Sequence, residues 1–299
     1  MIHGGDRVVV IGAVKSAEKM LFSLAECGAN IVCVVSRQNG GAHSDYSDLS
    51  ITASLLGITA YKCNDINARS TLDLLKKLAP DYVICLGWSQ IFSPELLSIA
   101  TIENIGYHPT ALPRNRGRHP VIWSLALGLE ETASTFFFLR EGADTGPVIS
   151  QVSVPIFYED NASVLLDRLA DKAAEQLAII YSQIKSGAVI PMFTQGKNEG
   201  NYLRRRNWGD GRIDFRMHSR TLYNLIRALA KPYPGAHIEN AGNNIKVWLA
   251  EEVQCDDQNI EPGKVIAVCK THVTVKTADG AICLKKHEFN ELPCVGTYL

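Results

Sequence analysis

Apolar residues fall in short unbroken runs along the first two thirds of the chain, and the stretches between them carry helical spacing. Arg7-Val-Val-Val-Ile-Gly12 predicts a buried parallel strand, β-branched and ended by glycine. Ser16 to Cys27 sets Met20, Leu21, Leu24 and Ala25 at helical intervals, with Ser16 as candidate N-cap and Gly28 as the stop. Ile31-Val-Cys-Val-Val35 predicts the next strand, and strand, helix, strand implies a right-handed βαβ unit. Leu49–Leu56 and Ser70–Leu78 read as helices, Ala60–Cys63 as a short strand and Asp81–Gly87 as another buried one. Further on, Val121–Leu127 begins a helix, Glu131–Leu139 and Pro147–Val154 are strands, and Ala162–Lys185 is a long amphipathic helix.

The texture changes near residue 196. Gly196 to Gly200 reads as a linker. A helix follows from Ser219 to Ala230 and stops at Pro232-Tyr-Pro-Gly-Ala236. Short strands then come at close spacing, at Ile245–Ala250, Gly263–Cys269, His272–Thr277 and Ala281–Lys285. That spacing suggests a small barrel. The pattern as a whole predicts an α/β domain over residues 1–197 and a β-barrel domain over 198–299.

Composition narrows the function classes. The 299 residues are 46% hydrophobic and 20% charged, an ordinary globular make-up. The net charge is −1, which argues against a polynucleotide held by bulk charge. Residues 200–299 carry 14 Lys+Arg against 11 Asp+Glu, enough for a phosphate or two and weak support for more. No apolar run reaches the 18 or so residues of a membrane span, and Met1 leads into a strand without a signal-like segment. The eight cysteines lie mostly inside apolar runs and form no Cys-x-x-Cys pair. We therefore expect reduced, packed thiols in a cytoplasmic protein and no metal site. The first turn has Gly12 but no Gly-x-Gly-x-x-Gly, so a dinucleotide cofactor is poorly supported.

Candidate chemistry concentrates between Ile102 and Val148. The run Gly106-Tyr-His108-Pro-Thr-Ala-Leu-Pro113 delivers a histidine at the end of a strand. Strand ends of this kind are where open α/β sheets place ligands. Arg116-Gly-Arg118 follows, and Asp144 stands in Glu141-Gly-Ala-Asp144-Thr-Gly146. Glycines there let backbone and carboxylate approach a ligand closely. The expectation is that His108 and Asp144 meet in one pocket. The bland rivals are a structural histidine before proline and an Asx-turn aspartate.

These motifs resemble the 10-formyltetrahydrofolate-dependent formyltransferases. That family carries Asn-x-His, then Ser-Leu-Leu-Pro, an Arg-Gly loop, and later Ala-Asp-x-Gly. Here the matching text is Gly106-Tyr-His108, Pro109 to Pro113, Arg116-Gly-Arg118 and Ala143-Asp144-Thr-Gly146. Gly211-Arg-Ile-Asp214, Ile226-Arg-Ala228 and Pro232-Tyr-Pro-Gly-Ala236 resemble the C-terminal domain, so the likeness covers nearly the whole chain. It implies a Rossmann-like, mostly parallel sheet with helices on both faces, followed by a small OB-like β-barrel.

It also implies roles. His108 would be a hydrogen-bond donor to the oxyanion and pass a proton to the departing nitrogen, and Asp144 would orient it. Gln90, Ile91 and Phe92 match the segment that lines the pterin pocket. Arg118 matches the loop arginine, and Arg140, Glu141, Gly142, Ala143 and Asp144 match the loop that closes over the pterin. Trp88, Arg116, Arg205 and Arg206 are candidates for the acceptor side, the last two for a diphosphate. The co-substrate implied is 10-formyltetrahydrofolate, with no metal.

One departure matters. The family's transition-state asparagine falls at Gly106. Asn104 faces the same side of an extended strand, about 6.6 Å away, and could substitute only through a bulge. The hydrolase domain of formyltetrahydrofolate dehydrogenase also has a Tyr-His-Pro-Ser stretch without that asparagine. Three acceptors therefore compete: a nucleotide-linked amino sugar, methionyl-tRNA, and water. The acidic half of the 37–48 loop, with Asp45 and Asp48, argues against tRNA. Arg116-Gly-Arg118 before Pro120-Val-Ile-Trp-Ser looks most like the sugar-modifying branch, and the resemblance makes a homodimer reasonable. A folate- or nucleotide-binding protein without turnover is the non-enzyme alternative.

Overall fold

The computed structural model describes residues 6–40, 44–196, 199–240 and 242–299. The Met1 start, the middle of the 37–48 loop and the expected domain boundary at 197/198 lie outside the described residues. The chain forms two compact units. The first holds residues 1–120, 132–154 and 166–203; the second holds 121–131, 155–165 and 204–299.

In chain order residues 6–203 contain β1 (Arg7–Gly12), α1 (Lys15–Glu26), β2 (Asn30–Arg37), α2 (Leu49–Leu55), β3 (Ala60–Cys63) and α3 (Arg69–Leu78). Then come β4 (Tyr82–Leu86), α4 (Pro94–Leu97), β5 (Glu103–His108), β6 (Arg116–Gly117) and α5 (Pro120–Ala126). β7 (Glu131–Phe138), β8 (Val148–Pro155), α6 (Ala162–Ser186) and β9 (Tyr202–Leu203) complete this stretch. The main sheet runs β3-β2-β1-β4-β5-β7-β8. β1 is parallel to β2 and β4, β2 to β3, and β4 to β5, while β7 joins β5 antiparallel.

Period-two alternation splits each buried strand between two cores. Val8 and Val10 pack with Met20, Leu21 and Leu24 of α1 and Leu177 of α6. Val9 and Ile11 pack on the other face with Leu72 and Leu75 of α3 and Leu96 of α4. Both faces are covered by helices, which is why the strands read as unbroken apolar runs. Strand order reverses at β1, between β2 and β4, so the carboxyl ends of the central strands open a crevice.

Two local readings need revision. Ser16 does not cap α1: the helix starts a residue earlier and Val14 is the N-cap, with no side-chain bond. Asp48, which reads as plain loop acidity, caps α2 by accepting from the Ser50 N–H at 3.1 Å.

The second unit contains α7 (Ser219–Ala228), β10 (Ala236–Asn240), β11 (Asn243–Val253), β12 (Val265–Cys269), β13 (His272–Lys276) and β14 (Ala281–His287). Its strands form one all-antiparallel sheet in the order β10-β11-β14-β13-β12. Buried Arg227 of α7 donates to the carbonyls of Phe157, Tyr158 and Asp160, which ties residues 155–165 to this unit. Trp123 does the same for 121–131: its indole N–H donates to the Arg204 carbonyl at 3.0 Å. The Arg204 and Arg206 guanidinium groups lie 5.3 and 4.5 Å from its ring centroid.

Candidate active site

β5 ends on the strand face it shares with Asn104 and Gly106, at buried His108. Its Nε2 lies 2.9 Å from the Asn115 carbonyl. A carbonyl can only accept, so Nε2 carries the proton of that bond. Nδ1 points the other way, 3.6 Å from Oδ2 of Asp144. The same Oδ2 accepts the Gly117 N–H at 2.8 Å. The histidine is thus held between a carbonyl and a carboxylate, and the carboxylate is aimed by the backbone of β6.

Asp144 reaches this position through a bent backbone. Its φ is +56°, in the left-handed region that non-glycine residues seldom occupy. Two residues on, a Cβ on Gly146 would lie 1.7 Å from the Phe138 carbonyl oxygen, so only glycine fits. At the other end of the loop, Arg140 forks onto both carboxylate oxygens of Glu103 at 2.7 Å. Thr145 closes the loop by donating to the Glu141 carbonyl at 2.9 Å.

The segment after β4 joins the same neighbourhood through Arg118, whose Nη1 donates to the Ser89 carbonyl at 2.7 Å. Gln90 is anchored by its Oε1, which accepts from the Ile66 N–H and the Trp88 indole N–H, both at 3.0 Å. Arg37 stacks over Trp88 at 5.5 Å. Ile91 is 61% exposed and available to a ligand. Cys85, one strand over from Gly106, stays a neutral thiol: burial pushes it up to about 12, and the Asp144 carboxylate adds to the shift.

Several candidates take other positions. Asn104 lies on the His108 face of β5 but four residues upstream, and its amide is committed to the Leu97 carbonyl at 2.7 Å, so it does not reach the histidine. Phe92 is buried with Leu96 and Ile99 in the sheet core. Arg116 is 3% exposed, its Nε and Nη2 on Oε1 of Gln195 at 3.0 and 2.7 Å, so it is an internal brace and not a hand for substrate. Arg206 is partly buried against Trp123, and that burial lowers its pKa, while Arg205 is exposed. Both belong to the second unit. Among the described residues no group of three His, Cys, Asp or Glu side chains could hold a metal ion.

Three contributors escaped sequence reasoning. The Asn115 carbonyl and the Gly117 N–H are backbone groups, which residue type does not reveal. Gln195 lies at the edge of the stretch read as linker, where an amide looks like ordinary loop polarity.

Residues 6–180 match the formyl transferase family, and residues 208–293 match the formyl transferase C-terminal domain. The chain belongs to the formyl transferase family. Its fold recurs in WlaRD, a sugar 3N-formyl transferase solved with dTDP and 5-N-formyl-THF. The two are 18% identical, with TM-score 0.70, over 96% of this chain and 99% of that one. The N-formyltransferase from Helicobacter canadensis, in complex with folinic acid and dTDP-3-aminofucose, is 18% identical at TM-score 0.69, over 93% and 98%. HypX from Aquifex aeolicus, in complex with tetrahydrofolic acid, is 16% identical at TM-score 0.63. This chain is covered over 96% there but spans only 45% of HypX.

Against this family background Gly106 is not a vacancy. A Cβ there would lie 2.6 Å from Cδ2 of Leu139 and 3.0 Å from the Phe137 ring. Leucine and phenylalanine fill the place where the resemblance expects an amide, so no side chain at 106 offers a donor beside His108.

Proposed function

We propose that the protein transfers the formyl group of 10-formyltetrahydrofolate to the amino group of a nucleotide-linked amino sugar. The observation that carries this reading is the apposition of His108 and Asp144 at the carboxyl end of β5, 3.6 Å apart. It is supported by the WlaRD and Helicobacter canadensis enzymes, whose structures hold a formyl-folate together with dTDP or a dTDP-linked amino sugar. In this reading residues 1–197 carry the transfer chemistry and residues 198–299 form an accessory module. The segment 88–91, Arg118 and the 140–146 loop receive the pterin; exposed Arg205 is available to a diphosphate.

The acceptor amine adds to the formyl carbon and an oxyanion forms. Nδ1 of His108, with Nε2–H held on the Asn115 carbonyl, takes the proton that the adding amine loses, donates it as a hydrogen bond to the oxyanion, and passes it to the folate nitrogen as that nitrogen's bond to the formyl carbon breaks. Asp144 holds the imidazole in place and balances the charge it gains. The family's second donor has no counterpart on the side chain of residue 106, and such a donor is worth on the order of 3 kcal/mol. A water or a backbone N–H replaces it, or the site stabilises the oxyanion less.

The filled space at Gly106 favours one second reading, hydrolysis of the formyl-folate. One assay separates the two. 10-formyltetrahydrofolate is supplied with a panel of nucleotide-linked amino sugars, and tetrahydrofolate release is followed. Release that depends on the amine supports transfer. Release without it means hydrolysis. No release with any acceptor leaves a folate- or nucleotide-binding protein and sinks the proposal.

A further inference from the structure

We infer that Gln195 is a positioning residue for the Asp144–His108 pair, holding from behind the strained turn that presents the carboxylate. The inference rests on the transfer reading for its activity readout only. Gln195 is 6% exposed and makes four short contacts. Its Nε2 donates to the main-chain carbonyl of Asp144 at 3.0 Å and to that of Gly146 at 2.6 Å. Its Oε1 accepts from Nε and Nη2 of Arg116. The orientation of the amide is dictated by these partners. Flipped, its oxygen would face two carbonyls and its nitrogen a guanidinium, leaving every group buried without a complement.

This places Gln195 at the centre of a closed bracket. Arg116 and Gly117 are adjacent in β6. Gly117 grips the carboxylate of Asp144 from the front, at 2.8 Å. Arg116, through Gln195, grips the carbonyl of the same residue from behind. Arg116 is itself fixed to the Glu199 carbonyl at 3.1 Å. A non-glycine residue at φ +56° persists only where its surroundings over-determine it. The bracket supplies that determination, and it ties Gln195, through the Asp144 main chain, to the orientation of the carboxylate. The neighbouring bond between Phe193 and Val148, 2.9 Å in each direction, anchors the stretch on β8.

The test uses Gln195→Glu. The new carboxylate keeps the Arg116 fork and strengthens it, so the fold is retained. Its second oxygen now faces the Asp144 and Gly146 carbonyls with no proton to give. A residue with a merely structural role would tolerate this exchange. Two readouts are taken on the full chain: steady-state kinetics of formyl transfer, and ¹⁵N spectra of the histidine rings, with His108 assigned by loss of its signals in His108→Asn. The expected result is a fall in kcat of about 10- to 100-fold with KM for 10-formyltetrahydrofolate within about twofold. The His108 Nδ1 and Nε2 shifts should move with it, in the direction produced by Asp144→Asn. The double variant should be no worse than Asp144→Asn alone. Gln195→Met, which removes both halves of the bracket, should give the same ring shifts, so the conclusion does not hang on one variant. Unchanged ring shifts with unchanged kcat in Gln195→Glu overturn the inference. If the wild type shows no formyl transfer but the ring shifts still respond, the transfer reading fails and the positioning role stands.

Discussion

At the residue scale the site turns on what each atom of His108 can reach. Nε2 holds the Asn115 carbonyl and Nδ1 faces Asp144, so replacing either side chain should act on kcat and also cost some stability through the partners it leaves unpaired. His108→Ala should lower kcat about 10²- to 10⁴-fold and, by leaving the Asn115 carbonyl short of a donor, cost about 1–3 kcal/mol of stability; retained turnover would remove His108 from the mechanism. Gly106 gives a second prediction. Asparagine there must push Leu139 and Phe137, at 2.6 and 3.0 Å from the new Cβ. It should destabilise the protein by about 1–3 kcal/mol through overpacking. Because Leu139 offers only the end of a flexible side chain, Leu139→Ala should relieve most of that cost in a urea-denaturation double-mutant cycle. A cost independent of residue 139 would mean that the strain lies elsewhere. Sequence resemblance could point to position 106 as lacking an amide. It could not show that the space is already taken, because Leu139 comes 33 residues later and meets Gly106 only through the pairing of β5 with β7.

At the element scale, strands and helices were legible and their fastenings were not. Val8 to Ile11 could be read as a strand from four apolar residues alone. What ties its start to the rest of the sheet is Asp81, which accepts the Arg7 N–H at 2.8 Å and the Thr101 hydroxyl at 2.7 Å. The Arg7 bond, then the Thr101 bond, hold its carboxyl below the ordinary aspartate range against the opposing effect of burial. A depressed folded pKa means stabilisation that is complete above the unfolded value of about 3.9 and is lost as pH falls through the folded one. The stability gap between wild type and Asp81→Asn in urea should therefore be present at pH 6 and shrink progressively below about pH 4. A gap that widens on acidification would contradict this sign. Gly146 is the matching case in the site loop. A methyl group there meets a backbone carbonyl at 1.7 Å, which cannot swing aside as a leucine can. Gly146→Ala should cost about 3 kcal/mol or more and disturb Asp144 with it, which activity and denaturation measured together will show. The capping of α1 was misread for a related reason: Ser16 has the right chemistry, but where a helix begins depends on how the preceding strand delivers the chain.

At the scale of the whole molecule, the two cores set which groups can react. The structure leaves all eight cysteines free. Burial pushes the Cys33 thiol up to about 11, so Cys33 and Cys85 are both unreactive in the native state. Exposed Cys269 and Cys294 should alkylate within minutes at pH 8, while Cys33 and Cys85 should label only at the rate of global unfolding, as read by mass spectrometry. Fast labelling of Cys85 would mean that the crevice beside β4 opens far more than its packing allows. The sequence by itself determined the class of fold, since period-two and 3.6-residue repeats are local consequences of which faces are buried. It also pointed to His108 and Asp144, whose residue types stand at strand-end and glycine-flanked positions. Only the tertiary structure decided how they are held. Buried Arg116 became a brace, Phe92 became core, and an amide at Gln195 in a linker-like stretch became the back support of Asp144. Burial and hydrogen-bond partnership belong to pairs of residues remote along the chain, and no single position records them.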